Sequence, residues 1–317
     1  MEFLRSISLE YELDGIQREL MRLGYQPVEQ PMRKSAMRVG RLLARMAGLV
    51  RLFPGEAAPV LIPGGNLPIV EFVPFGFYRP LILWRYDVWE PDYPGWERYL
   101  RQTRSRLAFF TARQAAEEIG RRVPECECLW LPECVALGDY LATTPLAARR
   151  TDVLELGRKY DRIHAQIRPR LEATGKVHLY ERVKGQMIYP TKQQMVEGLA
   201  DAKIVLCYPS SVTHPERSGN VETLTHRYLQ TMASGALVVG KAPAELVDIF
   251  GYNPVVELRE SDAADHLLEI LDHITEYSPL VERNLARVKE VATTRLRVSQ
   301  LTALLRERGY KVPAIPD

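Results

Sequence analysis

The stretch Ser218–Gly240, "SGNVETLTHRYLQTMASGALVVG", decides how this chain is read. Gly219 and Asn220 punctuate a turn, and Leu224, Tyr228, Leu229 and Met232 follow at the spacing of a helix face. Gly235 suits the left-handed residue that ends a helix, and "ALVVG" after it is a short buried strand. Glu222, Thr223, Thr225, His226 and Arg227 crowd the helix entrance, where a purely structural helix needs a single cap. A loop-to-helix entrance in an α/β sheet is also where anions and nucleotides settle.

Working outward, the same alternation recurs toward the N-terminus. "VLELG" from Val153, "VHLY" from Val177 and "IVLCYP" from Ile204 read as strands. They alternate with the helical "YDRIHAQIRPRLEA" and with "TKQQMVEGLADA", whose Thr191 and Gln194 stand at capping-box spacing. Repeated β-then-α units predict a parallel sheet covered by helices on both faces. Earlier in the chain, "PVLIPG" from Pro59, "PLILW" from Pro80, "LAFFTA" from Leu107 and "CLWLP" from Cys128 predict a second such sheet. The polar, proline-containing stretch Gly138–Asp152 reads as the linker. The expected division is one domain over 1–150, a second over 151–292 and a helical tail over 293–317.

Composition narrows the class. A length of 317 residues accommodates two ordinary domains, and 46% hydrophobic with 26% charged residues is the balance of a soluble globular protein. A net charge of +2 argues against a dedicated nucleic-acid binder. No apolar run reaches membrane-span length and "MEFLRSISLE" lacks the apolar core of a signal peptide, so the expected location is the cytoplasm. Cys126, Cys128 and Cys134 match no common zinc spacing, and the four cysteines read as reduced thiols rather than a disulfide framework. Lys34, Arg38, Arg41 and Arg45 line one side of a basic amphipathic segment at 33–53, with Val39, Leu42, Leu43 and Met46 opposite. It either packs on a core or touches anionic lipid peripherally.

The chemistry is expected at the carboxyl ends of strands. One such end carries Gly157 and Arg158; another opens into "SSVTHPERSG", with His214, Arg217 and Gly219, before Glu222, Thr223, Leu224 and Thr225. Guanidinium groups, helix N-terminal amides and hydroxyls are what a diphosphate needs. Neither GxGxxG nor GxxxxGK[ST] is present at these ends, which counts against dehydrogenases and P-loop NTPases. "LWRYDVWEPDYPGW" gathers Trp84, Asp87, Trp89, Glu90, Asp92 and Trp96 after a strand. That cluster suits either sugar recognition, with Asp87 as general base on an acceptor hydroxyl, or an aromatic interdomain packing patch.

The run from Glu222 to Val239 resembles the donor-site helix of GT-B glycosyltransferases, in the group 1 / family 4-like C-terminal domain. The family pattern is a glutamate, seven residues, a second glutamate, then Ala-Met-Ala-x-Gly and a valine-rich strand. Here Glu222 stands at the first acidic position, Gln230 at the second, and Thr231-Met232-Ala233-Ser234-Gly235 follows. "ELGRKYDRIH" is similar to the family's entry to its C-terminal domain, with Arg158 at the arginine and His164 nearest to the usual lysine. The resemblance implies two Rossmann-like domains facing a cleft and a nucleoside-diphosphate sugar as co-substrate. It also implies a hydroxyl acceptor (glycan, lipid or small molecule) and transfer without a metal or other cofactor. It places Arg158 on the diphosphate, Glu222 near the transferred sugar and Gln230 near the ribose. Glutamine there loses the charge-assisted strength of a carboxylate, which keeps open a protein that binds a nucleotide sugar or glycan without turnover. Taken alone, Glu222 equally suits a carboxylate that favours a helix N-terminus.

Overall fold

The computed structural model describes residues 1–5, 11–29, 58–65, 75–77, 79–157, 159–183, 185–314. Arg158, Lys184 and the basic segment 33–53 lie outside the described residues. The chain divides into two compact units. The first comprises Met1–Glu133, Ser218–Val221 and Arg295–Asp317; the second comprises Cys134–Arg217 and Glu222–Thr294.

The first unit holds a six-stranded sheet of β1 (Glu2–Leu4), β2 (Gln26–Val28), β3 (Val60–Gly64), β4 (Leu81–Arg85), β5 (Leu107–Phe110) and β6 (Glu127–Trp130). Their order is β2-β1-β3-β4-β5-β6, and every pairing is parallel. The helices α1 (Tyr11–Arg22), α2 (Tyr93–Thr103) and α3 (Arg113–Arg122) connect strands of this sheet. β3, β4 and β5 are buried along their whole length, as strands covered on both faces must be.

Trp84, Trp89 and Trp96 are buried in this unit, and Trp96 meets Tyr99 and Phe110 edge to face with ring centroids 5.8 and 5.6 Å apart. All three rings are packed inside the first unit. The C-terminal helix α10 (Thr294–Glu307) enters the same unit almost entirely. Thr302 meets Tyr25 through their hydroxyls at 2.9 Å, and Arg308 beyond the helix donates to Glu127 at 2.7 Å.

The second unit is a five-stranded parallel sheet in the order β11-β10-β9-β7-β8. Its strands are β7 (Thr151–Glu155), β8 (His178–Tyr180), β9 (Ala202–Cys207), β10 (Leu237–Gly240) and β11 (Val256–Glu257). The helices are α4 (Asp161–Ala173), α5 (Lys192–Ala200), α6 (His226–Ala233), α7 (Ala244–Phe250), α8 (Ala263–Asp272) and α9 (Ser278–Val291). Ile163, Ile167 and Leu171 recur every fourth residue of α4 and share a core with Val153, Ile204, Leu206, Leu237 and Val239. α5 begins with the capping box expected from sequence: Gln194 N donates to Thr191 Oγ1 at 3.2 Å and Thr191 N to Gln194 Oε1 at 3.2 Å.

Candidate functional site

In the second unit, parallel strands bring the loops after β7, β9 and β10 to one sheet edge, and α6 starts among them. α6 is 8 residues long and runs from His226 to Ala233. Thr225 is its N-cap in extended conformation, but its hydroxyl makes no capping bond, so the first-turn amides are left to other partners. Gly235 ends the segment at φ +62°, the left-handed value foreseen for it.

The loop before α6 is clamped by two carboxylates. Glu222 Oε1 accepts from Ala244 N at 3.2 Å, on the first residue of α7. In return Glu245 Oε2 accepts from Thr223 Oγ1 at 2.9 Å and from Leu224 N at 3.1 Å. Glu245 and Thr223 are buried, so these bonds form out of water, where a lost partner is costly. Glu222 thus caps the start of α7.

β7 ends in a turn at Gly157, with φ +77°. The positive φ favours glycine, and a Cβ built there would lie 2.9 Å from Arg227 Nη2 and push the end of that guanidinium aside. Below that turn, Glu155 Oε1 accepts from His164 Nδ1 at 2.5 Å and from His178 Nε2 at 2.9 Å. Burial alone would push the Glu155 carboxyl up, but the bonds and charge from the two histidines outweigh it and hold it below the ordinary range. These three residues are the group among the described residues that could converge on a metal ion. Their O···N spacings are those of direct hydrogen bonds. Two ligand atoms at about 2.0–2.1 Å from a tetrahedral zinc stand farther apart, at about 3.3 Å. The cluster is read here as a hydrogen-bonded anchor between β7, α4 and β8.

That anchor carries a pH dependence of definite sign. A carboxyl depressed in the folded state contributes stability above its unfolded pKa and loses it as pH falls through the folded value. Urea unfolding of wild type and Glu155→Gln from neutral pH to about pH 3 should show the gap between them narrowing below the usual carboxylate range of about 4.3. A gap that stays constant across that window would remove Glu155 from the acid limb.

The remaining sequence-derived candidates fall in different places. Gln230 is buried one turn into α6. His214 follows the single helical turn Ser210–Thr213, its Nδ1 2.9 Å from Thr213 Oγ1, and Arg217 is exposed in the turn Pro215–Ser218. Gly219 goes with the first unit: it adopts φ +59° against the Glu90 side chain, and Asn220 N donates to Glu90 Oε2 at 2.7 Å. Asp87, also in the first unit, follows β4 with φ +56°, a left-handed backbone that few non-glycine residues adopt. Strain of this kind collects at functional sites.

The structure therefore gathers Gly157, Glu222, Thr223, Leu224, Thr225 and Gln230 around the start of α6 and its neighbouring strand ends. It adds Arg227, Glu245 and the Glu155–His164–His178 cluster, to which the sequence assigned no role beyond His164's nearness to the family lysine. Glu245 reads in sequence as an acidic residue in a helix first turn, a common and uninformative feature.

No family model matches the chain, and no curated protein matches it. Solved structures do. HepE of Anabaena in complex with UDP and glucose is similar at a TM-score of 0.60 and 11% identity, over 96% of this chain and 99% of that one. AviGT4, a glycosyltransferase involved in avilamycin A biosynthesis, is similar at 0.56 and 15% identity, over 97% of each chain. A UDP-N-acetylglucosamine 2-epimerase is similar at 0.53 and 11%, over 100% of this chain and 98% of the other. The fold is GT-B: two Rossmann-like α/β domains. It is shared by glycosyltransferases and by a UDP-sugar epimerase.

Proposed function

We propose that the second unit binds a nucleoside-diphosphate sugar and that the protein transfers the sugar to a hydroxyl acceptor. The observation that carries this reading is the Glu222–Gly235 run. It has the spacing of a GT-B donor helix, and its loop is held in place by Glu245 and by Glu222 itself. In this scheme the first-turn amides of α6 and Arg158 meet the diphosphate, with Gly157 allowing its close approach. His214 and Arg217 border the phosphates, Gly219 shapes the chain that leads into the loop, and Glu222 faces the sugar. Thr223, Leu224 and Thr225 line the donor, and Gln230 reaches the ribose. Stabilising charge on the departing diphosphate is the main electrostatic demand of transfer, and these donors supply it without a metal. Asp87 acts as base toward the acceptor. A second reading rests on Gln230: a neutral amide at an acidic position suits a protein that holds the nucleotide sugar without turning it over.

A thermal-shift panel of uridine, guanosine, adenosine, cytidine and thymidine diphosphates, run with EDTA, tests the donor site. Uridine diphosphate is the first choice because HepE was crystallised with it. Linkage at a hundred times the dissociation constant adds about 2.7 kcal/mol to the native state. At about 2–4 °C per kcal/mol for a domain of this size class, the midpoint should rise by several degrees. One base should be preferred, and the shift should survive chelation. No shift with any diphosphate at millimolar concentration would end the donor-site reading. Given a shift, release of free nucleoside diphosphate from the matching sugar separates turnover from binding alone.

A further inference from the structure

We propose that Arg227 binds the diphosphate of the donor. The inference rests on the donor-site reading above and names a residue that the reading does not use.

Three independent features point to Arg227. The first is position. Its guanidinium lies over the turn at Gly157, where Nη2 would be 2.9 Å from any Cβ, so it sits at the carboxyl end of β7. The second is unfavourable electrostatics in the absence of a ligand. Arg227 is the second residue of α6, a helix with no acidic residue in its first turn. The positive end of a helix repels a cation, and a sequence under helix-forming pressure alone places acids there. Among the described residues no carboxylate is paired with this side chain, although the arginine is half-buried. An anion at the helix start would be attracted by both charges together.

The third feature is the fate of the alternative cation. His164, the residue nearest to the family lysine, has its Nδ1 on Glu155 at 2.5 Å and is packed against Tyr180 with ring centroids 4.6 Å apart. It anchors α4 rather than presenting a free charge. The reach of Arg227 toward the strand ends is visible in its neighbours: burial pushes the Cys207 thiol at the end of β9 up to about 11, and Arg227 is the main influence opposing it. A planar guanidinium can form two parallel bonds to phosphate oxygens, which a lysine ammonium cannot.

The test uses the full chain and whichever diphosphate of the panel binds it, with the corresponding free nucleoside as the second probe. Calorimetric titration of Arg227→Gln should show diphosphate affinity falling roughly 10- to 150-fold, the worth of a charged hydrogen bond. Nucleoside affinity should stay within about twofold of wild type, because the base and ribose contacts are elsewhere. Arg227→Lys should recover part of the loss by restoring the charge without the fork. A variant that keeps wild-type thermal stability and wild-type diphosphate affinity overturns the role of Arg227 while the donor site stands. Equal loss of nucleoside and diphosphate also overturns it, because it shows a general disturbance of the pocket. If wild type binds none of the diphosphates, the donor-site reading falls and this inference falls with it.

Discussion

Arg149→Met is expected to lower the unfolding free energy of the second unit by about 2–6 kcal/mol, at about 1–3 kcal/mol for each of two buried carbonyls that lose their donor. Arg149 is buried, and among the described residues its guanidinium donates to backbone carbonyls: Thr144 O at 3.1 Å, Ala202 O at 2.9 Å, Ser234 O at 2.9 Å and Leu199 O at 3.5 Å. Burial pulls its pKa down to about 10, so it stays charged at neutral pH with carbonyl dipoles as its main company. Methionine matches much of the volume but takes the charged donor away from Ala202 O and Ser234 O, at about 1–3 kcal/mol for each one left unsatisfied; Leu199 O keeps its bond from Asp201 N and Thr144 is exposed. The midpoint of thermal unfolding should drop on the order of 10 °C. Arg149→Lys should fall between, since an ammonium cannot spread over the same fork of acceptors. A loss below about 1 kcal/mol for the methionine variant would mean that water reaches the carbonyls once the guanidinium is gone.

Arg149 also shows where reading the sequence stops. It lies in Gly138–Asp152, a stretch whose polarity and prolines suggest a linker, yet its side chain ties the starts and ends of three elements together. Nothing local distinguishes such an arginine from a solvated one, because its partners are 50, 53 and 85 residues away in sequence. Short-range signals fared better. The capping box at Thr191, the left-handed Gly235 and the apolar runs at β3, β4, β5, β9 and β10 each depend on a few adjacent residues, and each appears in the structure. β1, β2 and β11 escaped notice since they are 3, 3 and 2 residues long, too short to show a period. The tryptophans of "LWRYDVWEPDYPGW" were ambiguous for a different reason: a ring that recognises sugar and a ring that fills a core have the same composition. Burial decides between them, and burial is a property of the fold.

The site divides along the same line. The roles proposed for Glu222 and Gln230 rest on a spacing that belongs to one helix and the loop that enters it. Arg227 was visible in the crowd at that entrance, but its meaning comes from Gly157, 70 positions earlier. Glu245 was not legible at all, although it accepts two hydrogen bonds from the loop.

Glu245→Ala is therefore expected to have the largest effect on turnover of any residue that does not itself touch the donor. One of its carboxylate oxygens accepts from both Thr223 Oγ1 and Leu224 N, and the side chain is only 4% exposed. Alanine removes both bonds and leaves a backbone N–H and a hydroxyl buried, a cost of about 2–3 kcal/mol in stability if the loop stays in place. The loop has a cheaper course, which is to move those groups toward water. A displacement near 1 Å at a reacting centre can cost on the order of a hundredfold in rate. The expected signature is thus a kcat lowered by about 10- to 100-fold, with nucleoside affinity nearly unchanged. Glu245→Gln keeps an acceptor oxygen and should retain much of the turnover, losing only the charge-assisted part of the two bonds. Steady-state kinetics on the donor, urea unfolding and nucleoside titration of both variants distinguish positioning from simple loss of fold. If Glu245→Ala is destabilised but turns over donor at the wild-type rate, the loop before α6 holds its shape without the carboxylate, and Glu245 is a structural cap and nothing more.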